Sequence, residues 1–194
     1  MIAVVLTGGG SLRMGRPKAW LDVGGRSCIA RVREACLDGG FAVEFQGALD
    51  GVREAFPGHP LHPDPEPGQG PLAGLAAALS RHPGAPLLLL ACDMPFLSAA
   101  LLRGLAEELA EADWAAPAAG GRTHPLCAAY GPAVAAPARA LLEAGRRDMQ
   151  ALLARPELRG CAVPPAPAWG DPDVLLLNVN TPADLERARR LAGA

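Results

Sequence analysis

The sequence predicts a single α/β domain, with a mostly parallel, twisted sheet covered by helices on both faces. Three observations predict it. The runs Ile2–Leu6 and Pro86–Ala91 are continuously apolar, as strands buried on both faces must be. Strand-like runs alternate with stretches of helical spacing along most of the chain. The length, 194 residues, accommodates one such domain with a sizeable core and is short for two.

The elements follow in order. Ile2–Leu6 ends at glycines and reads as the first strand. Ser27–Leu37 has helical spacing, and Gly39-Gly40 stops it. Phe41–Gln46 reads as a second strand. Residues 62–71, HPDPEPGQGP, form a loop stiffened by its X-Pro bonds. An alanine-rich helix is expected over Leu72–Ser80, then the very apolar strand Pro86–Ala91. A helix from Ser98 to Glu111 and a strand near Trp114 follow. Leu126–Tyr130 reads as a strand, and Ala133–Glu143 and Met149–Leu153 as helices. A second proline-rich loop, VPPAPAWGDPD, leads into an expected strand Val174–Leu177, and Pro182–Leu191 closes as a helix. No internal repeat and no domain linker interrupts the pattern.

Composition excludes several classes. The formal net charge is −2, with no dominant basic patch, which disfavours nucleic-acid binding. The longest apolar run, Pro86 to Cys92, is far below membrane-spanning length. The amino terminus runs straight into a strand, so a cytoplasmic protein is the expectation. Five widely spaced cysteines without a CxxC pair indicate buried thiols rather than a zinc site or a disulfide framework. Seventeen of the eighteen basic residues are arginine, and Lys18 is the one lysine; Asn178 and Asn180 are the only asparagines. Heat adaptation or a GC-rich coding bias would each produce this pattern. Under either, the exceptions mark places where another residue fails, since a lysine is a compact point charge and an arginine a planar fork.

Three stretches carry chemistry. LTGGGSLRMGRPK, residues 6–18, follows the first strand. It lacks the third glycine of a dinucleotide GxGxxG, because Arg13 stands there. It also fails as a P-loop, because Arg16-Pro17 replaces the Lys-Ser/Thr pair. What remains is a glycine-rich turn whose N–H groups can approach phosphate oxygens, with Arg13 and Lys18 supplying charge. In LLLLACDMPFL, residues 87–97, Asp93 lies just past the carboxyl end of a central strand, where open α/β sheets bind ligands. It suits a magnesium ion that also takes water and substrate phosphate; a turn cap is the plainer alternative. In LLLNVNTPADL, residues 175–185, Thr181, Pro182 and Asp184 make a helix start. Capping leaves Asn178 and Asn180 unexplained, and alternation on a strand end would point both to one side. Arg146 and Arg147 in AGRRDM could grip a second anionic substrate or sit on a solvated turn. His124 in THPLCAAY reads as structural. His59, His62 and His82 show no ligand spacing, and the absence of GxSxG removes support for a serine hydrolase.

Taken in order, LTGGGSLRMGRPK, DPEPGQGPLAGL, CDMPFL, HPL and NVNTPADL resemble the molybdenum cofactor guanylyltransferases, nearly end to end. The opening loop and CDxP are shared across the wider nucleotidyltransferase superfamily, whereas the Gly-Gly pair, GPLAG and NVNTP are more specific. The departures are Thr7 where alanine is usual, Gln46 where asparagine is frequent, and one residue fewer around Arg16-Pro17. The resemblance implies a single Rossmann-like nucleotidyltransferase domain. Residues 1–95 would mainly bind nucleotide and residues 96–194 mainly the acceptor. It implies GTP binding by Leu6, Thr7, Gly8, Gly9, Gly10, Ser11, Lys18, Gln46, Asp64 and Asp93. Arg13, Lys18 and Asp93 would be catalytic, and Asp93, helped by Asn180, would hold Mg²⁺. Arg146, Arg147, Asn178 and Asn180 would contact the acceptor.

The implied reaction is attack of the terminal phosphate of the molybdopterin cofactor on the α-phosphorus of GTP, releasing pyrophosphate. That nucleophile is already an anion, so no general base is required, and positioning and charge neutralisation are most of the task. Substrates apart, the expected protein partners are cofactor-delivery or molybdoenzyme-maturation proteins, met transiently. Two rival readings fit the same residues. One is a sister nucleotidyltransferase, moving cytidylyl to molybdopterin or a nucleotidyl group to a sugar or isoprenoid phosphate. The other is a non-catalytic GTP- or molybdopterin-binding adaptor.

Overall fold

The structure is a computed structural model that describes residues 1–8, 17–64 and 68–193. Gly9, Gly10, Ser11 and Arg13, assigned to the phosphate loop above, lie outside the described residues. Among the described residues eight strands form one sheet. They are β1 (Ile2–Leu6), β2 (Ala42–Gln46), β3 (Leu61–His62), β4 (Leu87–Ala91), β5 (Trp114–Ala119), β6 (Arg122–Thr123), β7 (Cys127–Tyr130) and β8 (Gly160–Val163). The longer helices are α1 (Cys28–Asp38), α3 (Gly70–Arg81), α4 (Ala99–Glu108), α5 (Ala135–Glu143) and α8 (Pro182–Ala192). The short ones are α2 (Val52–Ala55), α6 (Met149–Leu153) and α7 (Pro172–Leu175).

The strand order is β3-β2-β1-β4-β7-β5-β6, with β8 beside β5. Pairings β1–β2, β1–β4, β2–β3 and β5–β8 are parallel, whereas β4–β7, β5–β7 and β5–β6 are antiparallel. β1 and β4 therefore lie in the middle with helical layers above and below, which is why both are continuously apolar. Ala3, Val5, Val43, Phe45, Leu88 and Leu90 face α1 and α4. Val4, Leu6, Leu87, Leu89 and Ala128 face α3 and α5. A smaller cluster of Leu21, Val23, Cys28, Leu177, Val179 and Leu185 seats α8 against the segment that follows Lys18. No helix among the described residues is long and apolar enough to cross a membrane.

The expected strand Val174–Leu177 is not formed. Asp171 caps a short helix there, its Oδ1 accepting from Asp173 N at 2.9 Å, and Pro172 occupies the first turn. The Asp-Pro start signal outweighs the apolar run, whose residues Leu175–Leu177 are buried as a helix end and the turn after it. Sequence periodicity also passed over β3, β6 and β8. The first two are two residues long, and β8 opens with a glycine because Trp114 lies against it: a Cβ on Gly160 would stand 2.0 Å from the Trp114 ring.

Candidate active site

The chain leaves β1 toward β2 on one side and reaches β4 on the other, so the carboxyl ends of β1 and β4 form a switch point where such sheets open a crevice. A cleft of about 450 Å³ opens there, between those strand ends and the start of α3. Leu6, Thr7 and Gly8 form its floor, and Gly47 lets them do so. Gly47 has φ +130°, and a Cβ on it would lie 2.6 Å from Gly8 N. Thr7 accounts for its own departure from alanine: it is buried, and its hydroxyl donates to the Gln46 carbonyl at 3.1 Å. Gly74 brings α3 close, because a Cβ there would meet Leu6 Cδ2 at 2.8 Å.

One wall carries a carboxylate. Gln46, fully buried at the end of β2, donates through Nε2 to the Pro63 carbonyl at 2.8 Å and to Asp64 Oδ1 at 3.1 Å. The amide thus fixes one carboxylate oxygen. The other, Oδ2, faces Gly8 so closely that a Cβ on Gly8 would lie 2.9 Å away. An acceptor pair held this way at the rim of a cleft suits paired N–H donors of a ligand.

The opposite wall carries the lone lysine. Pro17 precedes a 3₁₀ turn over Lys18–Trp20 that aims Lys18 across the cleft. Its ammonium donates to Asn180 Oδ1 and stands 3.5 Å from Asp93 Oδ2. Burial pushes the Asp93 carboxyl above the usual carboxylate range, and the Lys18 charge opposes that rise. Of the described residues lining the cleft, Lys18 is the one cation. The Asp93 side chain lines the cleft, and its carbonyl accepts Val179 N at 2.9 Å, tying the NVNTP segment to β4. Cys92 beside it is pushed up to about 12 by burial, so its thiol stays protonated and is no nucleophile.

Asn180 reaches the site by another route than alternation on a strand, since 178–180 form none. Asn180 is placed by the helix start. Asp184 Oδ2 accepts from Asn180 N at 3.0 Å and Thr181 N at 2.8 Å, while Thr181 Oγ1 accepts from Asp184 N at 3.2 Å. This capping box accounts for Thr181 and Asp184 as the sequence suggested. Asn178, two residues earlier, is half-buried and does not line the cleft. Arg147 comes to the rim of the cleft, its Nε donating to Gln69 Oε1 at 2.5 Å just before α3; Arg146 is exposed on the same loop. Sequence reasoning did not single out Gly47 or Leu126. Leu126 lines the cleft from the turn just before β7, where its carbonyl accepts Ala91 N at 2.8 Å.

Asp93 Oδ2 and Asn180 Oδ1 both face the Lys18 ammonium; as hard oxygen donors they would fit Mg²⁺, completed by water and phosphate oxygens, with the ammonium displaced from between them. Among the described residues no three His, Cys, Asp or Glu side chains group to hold a metal by themselves.

The family model of the MobA-like NTP transferase domain matches residues 3–159. A molybdenum cofactor guanylyltransferase of Rhizobium meliloti is 37% identical over 96% of this chain and 89% of its own. The crystal structure of molybdopterin-guanine dinucleotide biosynthesis protein A from Archaeoglobus fulgidus superposes with a TM-score of 0.82 at 28% identity, covering 100% of this chain and 99% of that one. The 2-C-methyl-D-erythritol 4-phosphate cytidylyltransferase of Thermus thermophilus shares the fold, with a TM-score of 0.71 at 20% identity over 100% of this chain and 99% of that one.

Proposed function

The chain belongs to the MobA-like NTP transferase family, and from that premise we propose that it transfers GMP from GTP to the terminal phosphate of the molybdopterin cofactor. The observation that carries this reading is the Lys18 ammonium held at 3.5 Å from Asp93 in the cleft at the β1/β4 switch point. The names of the full-length relatives supply the substrates.

In the reaction an acceptor phosphate oxygen bonds to the α-phosphorus of GTP, the bond from that phosphorus to the β-phosphate bridging oxygen breaks, and pyrophosphate leaves with the electron pair. Lys18 neutralises charge on the phosphates, and Asp64, steadied by Gln46, accepts the guanine N1–H and N2–H₂ donors. The attacking phosphate oxygen is already anionic, so the reaction needs no general base. Asp93 and Asn180 would hold Mg²⁺, which would add electrostatic stabilisation of the phosphate charge. We assign nucleotide binding mainly to residues 1–95. Arg147 at the rim, with Arg146, Asn178 and Asn180, would serve the acceptor from residues 96–194. We place the reaction in the cytoplasm, with the product passed transiently to delivery or maturation proteins.

Steady-state pyrophosphate release tests this reading. Release from GTP that requires both molybdopterin and Mg²⁺ is the expected result; GTP binding without release would instead support an adaptor. Gly8→Ala gives a sharper check of Asp64. The added methyl would crowd Asp64 Oδ2, so nucleotide affinity is expected to fall about tenfold, roughly 1.4 kcal/mol, with thermal stability little changed. Unchanged affinity in calorimetry would remove Asp64 from the base pocket.

A further inference from the structure

The densest group of titratable side chains outside the cleft lies on the same face of the sheet, one step back along β2. Positions 44 and 46 share a face of that strand, and each reaches a residue at or just after β3. Gln46 holds Asp64; Glu44 faces His62, two residues earlier. Glu44 Oε2 also accepts from His82 Nε2 at 3.1 Å, and His82 is the residue that ends α3. His62 Nε2 stands at the same 3.1 Å from the same oxygen, shut from solvent but off the hydrogen-bonding direction. The Arg81 guanidinium is 3.9 Å from that oxygen. The remaining charged neighbour of β3 is Arg53, which donates to the Leu61 carbonyl at 3.2 Å. None of these residues lines the cleft. No metal-holding group of His, Cys, Asp or Glu occurs among the described residues.

β3 is an edge strand of two residues, anchored by Gly47 N to the His62 carbonyl and Phe45 N to the Pro60 carbonyl, each at 2.8 Å. With so short a ladder, the side chains at 62 and 64 determine how the Pro63-Asp64 corner is presented. A neutral His62 gains little from a carboxylate it is not aligned to donate to, whereas a charged imidazolium is attracted to it and can turn to form a charge-assisted bond. Histidine charge ordinarily changes between about pH 5 and 8.

We propose that Glu44, His62 and His82 form a proton-operated brace that positions Asp64 for base recognition. Protonated histidines draw β3 and the end of α3 onto Glu44 and hold Asp64 beside Gly8; loss of the protons loosens the corner. The brace rests on the reading of Asp64 as the base-reading group. Its members are positioning residues and touch no substrate.

The test is calorimetric titration of GTP and of CTP from pH 5.5 to 8 into the wild-type chain, Glu44→Gln, and the double variant His62→Gln/His82→Gln. Titration of the triphosphate itself is common to all three proteins and cancels. Between pH 6 and 8 wild-type GTP affinity is expected to weaken about three- to tenfold more than that of either variant, a single linked proton giving at most about tenfold per pH unit. The GTP-over-CTP preference at pH 6 should narrow in the variants. Parallel pH profiles overturn the brace. In the wild-type chain, which does not depend on a variant folding, GTP should shift the NMR titrations of the His62 and His82 rings and leave that of His59 in place; unmoved rings also overturn it. Failure of the parent reading looks different, as absent GTP binding or equal GTP and CTP affinity at every pH, and the brace falls with it.

Discussion

Lys18→Ala is expected to lower pyrophosphate release by about 10²–10³-fold, the range found when a single preorganised charge-stabilising group is removed from an active site. Lys18 is the only cation among the described residues lining the cleft, so none of those residues replaces it. The fold should survive. Lys18 sits on a 3₁₀ turn at the edge of the cleft, and Ala19 and Leu21, not the ammonium, anchor that turn in the core. Circular dichroism and a thermal melt check this independently of activity. Lys18→Arg should restore only part of the rate, because a planar fork does not fill the place of a compact ammonium between Asp93 and Asn180. Wild-type turnover in Lys18→Ala would sink the assignment.

The second large effect is expected at Asp93. Asp93→Asn keeps the shape and removes the charge, so Mg²⁺-dependent turnover should fall by about two orders of magnitude or more. Folding stability at neutral pH should not fall with it. Burial raises the carboxyl of Asp93 above its ordinary range, which means that the ionised form is held there against its solvation preference. A neutral amide removes that cost, as expected of a side chain retained for chemistry rather than for stability. A melt showing loss of stability alongside loss of activity would instead make Asp93 a structural anchor of the Lys18 turn.

Much of this was legible in the residues. The buried strands β1 and β4 were readable because a continuous apolar run ending in glycine or in Cys-Asp leaves few alternatives. Lys18 and the asparagines stood out because composition elsewhere avoids them. Asp93 followed from its place at a strand end. Legibility failed where a local signal was overridden or too short. At 174–177 an apolar run looked like a strand, while Asp171-Pro172 started a helix. Alternation on such a strand would point Asn178 and Asn180 to one side, yet Asn180 is set by the capping box of α8. The Glu44 group was invisible because its histidines, at 62 and 82, have no ligand spacing and meet only through the packing of β2, β3 and α3. The Gln46–Asp64 bond likewise joins positions 18 residues apart, a distance no local pattern encodes.

The most direct test of the central claim is calorimetric titration of GTP, CTP, ATP and UTP with Mg²⁺ into the wild-type chain and into Asp64→Ala. The account predicts selective GTP binding in the wild type and loss of that selectivity in the variant, with residual binding through the phosphates. Equal binding of the four nucleotides, or a preference for CTP, would leave the nucleotidyltransferase fold standing and contradict guanylyl transfer.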